Sequence, residues 1–151
     1  MTAIPDTTDR VAEHTARSVN ADIRREADES LRHFARHQED IEDRLADLDR
    51  EWDVERALEA NAASIALVGL GLAATVDRRF LALPMVVAGF LLQHAVQGWC
   101  PPLPVLRRLG FRTEAEINEE RVALKALRGD FDGLPSEPAA RARRALDAAR
   151  V

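Results

Sequence analysis

Apolar positions recur at helical spacing through the first third of the chain. Val19, Ile23, Ala27 and Leu31 repeat every four residues. From there Leu31, Phe34, Gln38, Ile41, Leu45, Leu48 and Trp52 alternate at three and four. That is the a/d spacing of a coiled coil, with one polar residue in the seam. The opposite face mixes Asp, Glu and Arg in i,i+4 pairs such as Asp40–Arg44. The pattern predicts an acidic helical stalk over 9–59, with residues 31–52 available for self-association into a homo-oligomer or for docking a protein partner.

The periodicity then disappears. Ala62 to Val76 and Phe80 to Trp99 are two apolar runs with no polar face. A helix apolar all round lies either deep in a large protein or in lipid, and this chain has no other apolar material to wrap such a pair. At 1.5 Å per residue the second run spans about 30 Å, the thickness of the hydrocarbon core. The first, counted from Ala60, spans about 25 Å, which is short for a membrane helix. The large apolar residues supply about −3 to −5 kcal/mol of insertion free energy in the second run and about −2 to −3 in the first. The two are expected to insert as a pair around Asp77-Arg78-Arg79, whose arginines can snorkel to headgroups. Ala62, Ala66, Gly69 and Ala73 form a small-residue stripe that would let the helices approach, with Ala88 and Gly89 facing them. Pro84 falls in the first turn of the second helix, where its missing N–H costs little.

After the hairpin, Thr113 and Glu116 have capping-box spacing, and Gly129 stands where a helix stop belongs. Ile117, Leu124 and Leu127 face one way between them. The expected organisation is a disordered N-terminus at 1–8, the stalk at 9–59, a two-helix hairpin with exit segment at 60–106 (spans 60–76 and 80–99), a juxtamembrane amphipathic helix at 107–131, and a flexible basic tail at 132–151, with one short helix from Pro138. The fold class is all-α.

Charge sharpens this division. The 151 residues carry a net charge of −5, of which residues 1–59 hold 17 acidic side chains against 9 arginines. Between Asn61 and Leu106 the turn triplet holds every charge. No basic stripe is interleaved with aromatics, so nucleic acid is not an expected partner; the lipid bilayer is. The opening residues show no basic-flanked apolar core, so no cleavable signal peptide is expected. Arg44, Arg50 and Arg56 precede the hairpin and Arg107, Arg108 and Arg112 follow it, against Arg78 and Arg79 in the turn. This asymmetry favours a two-pass membrane protein with both termini cytoplasmic.

The stretch from Leu91 to Thr113, "LLQHAVQGWCPPLPVLRRLGFRT", followed by "ALKALRGDF", resembles the C-terminal half of the YgaP-like transmembrane domain, a small two-helix bacterial inner-membrane module of unassigned biochemical role. The family's recurring Gly-x-Cys-Pro at the end of the second helix, then an apolar segment and Leu-Gly, corresponds here to Gly98, Cys100, Pro101, Leu109 and Gly110. The resemblance covers roughly Trp52 to Phe131. It departs at the front, where an acidic helix replaces the short glycine-containing opening. Some members are fused to a rhodanese sulfurtransferase domain, which is not found in this sequence, so no sulfur-transfer activity is carried over; the resemblance implies a two-pass hairpin in the bacterial inner (cytoplasmic) membrane.

Candidate chemistry centres on Cys100. A lone cysteine excludes an internal disulfide framework and multi-cysteine zinc sites. At the end of a helix Cys100 meets the negative pole of the dipole, which raises a thiol pKa. His94 lies six residues away, a poor spacing for a base. A redox or sulfur-carrier thiol, a haem thiolate ligand and a small apolar residue in an exit turn are the alternatives, with Trp99 in the interfacial aromatic belt. Gln93, His94 and Gln97 are polar at a depth where water or headgroups meet them. His33 and His37 stand i,i+4, but no Glu follows His33 and no third ligand is evident. No phosphate-binding glycine loop and no nucleophile elbow occurs, so no cofactor or metal is implied and no catalytic motif supports an enzyme. The function expected is a membrane anchor and interaction module; the alternative is a thiol-dependent redox or sulfur-handling protein using Cys100.

Overall fold

A computed structural model describes residues 10–150; the disordered N-terminus expected at 1–8 lies outside the described residues. The fold is all-α. In chain order the helices are α1 (Arg10–Glu13), α2 (Arg17–Phe34), α3 (Ile41–Arg50), α4 (Val54–Thr75), α5 (Ala82–Gln97), α6 (Leu103–Arg108), α7 (Glu114–Arg128) and α8 (Pro138–Arg150). The chain forms two compact units, one of Met1–Ile23 with Trp52–Glu114, the other of Arg24–Glu51 with Ala115–Val151.

The first unit carries the hairpin. Asp53 starts α4, its carboxylate accepting a 2.6 Å hydrogen bond from the Arg56 N–H. Capped there, α4 runs 22 residues, about 33 Å. The first span therefore belongs to a longer helix than the apolar run alone suggests. The turn forms as its sequence predicts: Asp77 accepts from the Arg79 N–H at 2.7 Å and caps a short 3-10 segment, Arg78–Leu81. Pro84 then sits in the first turn of α5.

The stripe of small residues serves close approach, though with a different partner surface. Ala62 and Gly69 are buried. A Cβ on Gly69 would lie 2.8 Å from Pro84 Cδ and 3.1 Å from Leu83 Cβ, while nothing lies within 4 Å of one on Gly89. The helices thus touch closely through Leu83 and Pro84, while Ala88 and Gly89, the expected partner surface, are exposed. Elsewhere the hairpin is bare: Leu67 is 69% exposed, Met85 74% and Leu92 66%. Both helices are long and apolar enough to cross a membrane.

At the hairpin's base, Val11, Val54, Leu58, Cys100 and Leu103 form a buried cluster with Leu106 and Phe111 packed on it. The Val54 N–H donates to the Arg112 carbonyl at 2.8 Å, which ties the start of α4 to the segment after Gly110. Arg107, read in the sequence as a flanking positive charge, is 1% exposed. Its guanidinium donates to Thr15 Oγ1 at 3.2 Å, the Phe111 carbonyl at 3.0 Å and Asn20 Oδ1 at 3.0 Å.

In the second unit the predicted stalk is interrupted. α2 ends at Phe34, a 3-10 turn follows at Gln38–Asp40, and α3 resumes at Ile41. The seam is occupied within the chain: Ile41, Leu45 and Leu48 are buried with Ile117 and Leu124 of α7, and Leu31, Phe34 and Leu127 pack against them. Gln38, the polar seam residue, reaches out to the Leu127 carbonyl at 3.5 Å. Trp52 takes no part; it is 47% exposed and lies under the Arg56 guanidinium, 4.7 Å from ring centroid to Cζ.

Helix α7 begins after Thr113, as the capping-box spacing predicts. It stops at Gly129, whose φ of 87° lets the Asp130 N–H reach the Lys125 carbonyl at 3.0 Å. The tail at 132–151 holds α8, which starts at Pro138 where a short helix is expected. Glu137 caps it, accepting from the Ala139 and Ala140 N–H groups at 3.0 and 2.6 Å. Buried Lys125 donates to the Ala148 and Ala149 carbonyls at 3.2 and 3.0 Å. A cation at the last carbonyls of a helix complements its dipole.

Candidate functional site

The residues that carry chemistry in the hairpin unit meet where α5 ends. Gly98 closes α5 in the left-handed conformation, φ 76°, with its N–H on the His94 carbonyl at 2.7 Å. The glycine is required twice, because a Cβ there would also lie 2.6 Å from the Arg10 carbonyl oxygen. Helix α1 is therefore laid directly on the exit turn. Arg10 Nη1 donates to the Ala95 carbonyl at 3.2 Å.

Cys100 follows two residues later. It is 4% exposed, and its carbonyl accepts the Leu103 N–H at 3.1 Å. Burial among Val11, Val54, Leu58 and Leu103 pushes the thiol above its ordinary value, and the hydrogen bond with the Leu103 backbone offsets this only in part. A reactive thiol requires a lowered pKa and access; this one has neither.

His94 does not activate it. The imidazole is 7% exposed, and both ring nitrogens are buried without a hydrogen-bond partner. Arg10 Nε and Glu55 Oε2 are likewise buried and unpartnered. The base of the hairpin thus carries a polar interior made by α1, α4 and α5, which the sequence reading missed. Its signal, His94 inside an apolar run, was visible. Its company was not, because Arg10 and His94 are 84 positions apart in the sequence.

The other polar candidates fall elsewhere. Gln93 is half-buried and Gln97 exposed. His33 and His37 stack with ring centroids 4.4 Å apart, and His37 Nδ1 lies 3.0 Å from the His33 carbonyl. Among the described residues no three His, Cys, Asp or Glu side chains gather into a group that could hold a metal ion.

In the second unit the principal polar feature is Glu120. Its buried carboxylate receives Arg44 Nε and Nη2, each at 3.0 Å, and the Ser30 hydroxyl at 2.6 Å. With its acceptors filled in this way, Glu120 is a structural group that joins α2, α3 and α7. Comparison with protein-family models, curated proteins and solved structures returns no match to this chain.

Proposed function

We propose that this chain is a two-pass integral membrane anchor of the bacterial cytoplasmic membrane, with both termini cytoplasmic, that carries a helical interaction module. The observation that carries the reading is the surface of the hairpin. Within the candidate spans that include α4 and α5, only 17% and 6% of the most apolar window is buried. Soluble monomers rarely expose contiguous apolar patches beyond a few hundred Å²; lipid covers such a surface without cost. Polar caps at Asp53 and Asp77 mark helix starts that suit the two interfaces. The resemblance of the exit segment to YgaP-like modules agrees in kind.

The interaction role falls to α2, α3 and α7. Because α7 covers the seam over 31–48, partner docking through the charged outer faces suits the module better than a coiled coil between copies. A buried thiol above its ordinary pKa and an imidazole that does not reach it favour the anchor over thiol-dependent redox or sulfur handling.

Fractionation tests the anchor: the chain should stay with membranes through an alkaline carbonate wash and leave them only in detergent. Recovery as a compact monomer in the detergent-free supernatant would overturn the reading. Topology is read in the Cys100→Ala background with an impermeant maleimide. Asp132→Cys should react only from the cytoplasmic side and Arg79→Cys only from the opposite side. Chemical cross-linking across α2 and α3 in membranes, with the products identified by mass, tests partner docking; recovery of the uncross-linked chain alone would remove it.

A further inference from the structure

The two apolar helices touch closely at one end and part at the other. Near the turn, Gly69 draws α4 onto Leu83 and Pro84. At the base, Cys100 and Leu103 pack against Val54 and Leu58, so the space beside α4 is taken by the exit loop. Between these two contacts lies a groove of about 220 Å³, walled by Leu58 and Ile65 of α4 and by Val87 and Phe90 of α5, and floored by Cys100 and Pro101. Among the described residues on its lining, Asn61 is the only amide and none carries a charge.

We infer that this groove is a binding site for a single acyl chain of a membrane glycerophospholipid. The inference rests on the membrane reading above. Its lining reaches the outer surface of the hairpin at Val86 and Leu91, which are exposed, so hydrocarbon is what stands at its mouth. The stretch of α4 from Leu58 to Ile65 is about 10 Å long, which suits part of one extended chain. The volume is below the ~300–1,000 Å³ of pockets that enclose drug-sized molecules, which argues against a compact ring system. A concave apolar wall touches a chain on several sides, whereas the convex faces of α4 and α5 touch it on one, and dispersion contacts add with each neighbour. The occupant is therefore held at a defined place and is distinct from the lipid that surrounds the hairpin.

The test uses the full chain in phosphatidylethanolamine–phosphatidylglycerol vesicles doped with a phosphatidylglycerol that carries a diazirine in mid-chain. After photolysis, adducts are mapped by peptide mass spectrometry. The expected result is labelling at Ile65 and Phe90 about tenfold above that at Leu67, Met85 and Leu92, a ratio that corresponds to about 1.4 kcal/mol of preference. Val86→Trp, at an exposed position on the groove wall, should bring groove labelling down to the outer-face level with helix content unchanged. Ala62→Phe should do the same from the opposite wall. Uniform labelling over both faces, or chain-to-chain adducts in place of lipid adducts at the groove, overturns the proposal. A chain that fails to float with the vesicles instead overturns the membrane reading, so the two failures are distinguishable.

Discussion

Arg44 holds Glu120 with two parallel hydrogen bonds of 3.0 Å, and the Glu120 side chain is wholly buried while Arg44 keeps 27% of its own surface. The arrangement joins α3 to α7 beside the Ile41–Leu124 cluster. Two parallel bonds to a planar guanidinium fix orientation as well as distance.

Removing one partner strands the other. Arg44→Ala removes the guanidinium from a buried carboxylate, and the cost should fall near the lower end of the ~3–5 kcal/mol typical of a broken buried pair, because Arg44 is partly solvated. Arg44→Met with Glu120→Leu should recover most of that. Urea unfolding followed by circular dichroism distinguishes the two; a double variant as unstable as the single would contradict this account.

The hairpin's closest contact predicts a contrast between glycines. Gly69→Ala places a Cβ 2.8 Å from Pro84 Cδ and should spread the helices. Overpacking of this kind costs about 1–3 kcal/mol. Gly89→Ala meets nothing within 4 Å and should be neutral or slightly stabilising. Thermal unfolding in detergent micelles should separate the two, with the order Gly69→Ala below wild type and Gly89→Ala at or above it.

Gly98 holds α1 against the exit turn. Gly98→Ala combines left-handed strain, about 1–2 kcal/mol, with a contact 2.6 Å from the Arg10 carbonyl. Helix α1 should lift off, and trypsin should cut after Arg10 and Arg17 faster than in the wild type. Unchanged cleavage rates would show that α1 is not held there.

Cys100 should resist alkylation. In folded protein at neutral pH, maleimide modification is expected to be at least about tenfold slower than in SDS, since both burial and the raised pKa suppress the thiolate. Equal rates in the two conditions would revive the thiol-dependent reading.

Asp130 supplies a pH dependence. Its carboxyl is held below the ordinary aspartate value, chiefly by the Arg128 side-chain hydrogen bond, the closest contact being 2.6 Å. A depressed folded pKa contributes stability that is present above the unfolded value, about 3.9, and is lost as pH falls through the folded one. Acid titration below pH ~4 should therefore loosen the end of α7, and Asp130→Asn should remove that part of the transition. Hydrogen exchange at Ala126 to Gly129 measures it.

What was legible in the amino-acid order is what neighbouring residues decide. Apolar runs without a polar face mark α4 and α5, and Asp77 caps the turn between them within two residues. Pro84 falls in a first turn, Thr113 precedes a helix start, and Gly129 ends that helix. Each depends on backbone hydrogen bonds and dihedral preferences spanning a few positions, so the one-dimensional pattern contains them.

Pairing across the chain was not legible. The seam of Leu31 to Leu48 fits a second copy or an internal helix equally well, because periodicity states that a face must be covered and not by what. Tertiary structure decided that Ile117 and Leu124 cover it, with a break at residues 35–40. In the same way Arg107 reads as a solvated flanking charge until Thr15 and Asn20, about ninety positions earlier, are brought to its guanidinium. Composition and periodicity alone determined an all-α chain with two helices apolar enough for a bilayer. Only folding chose the partners, since burial energy depends on which surfaces meet and the sequence order does not specify that meeting.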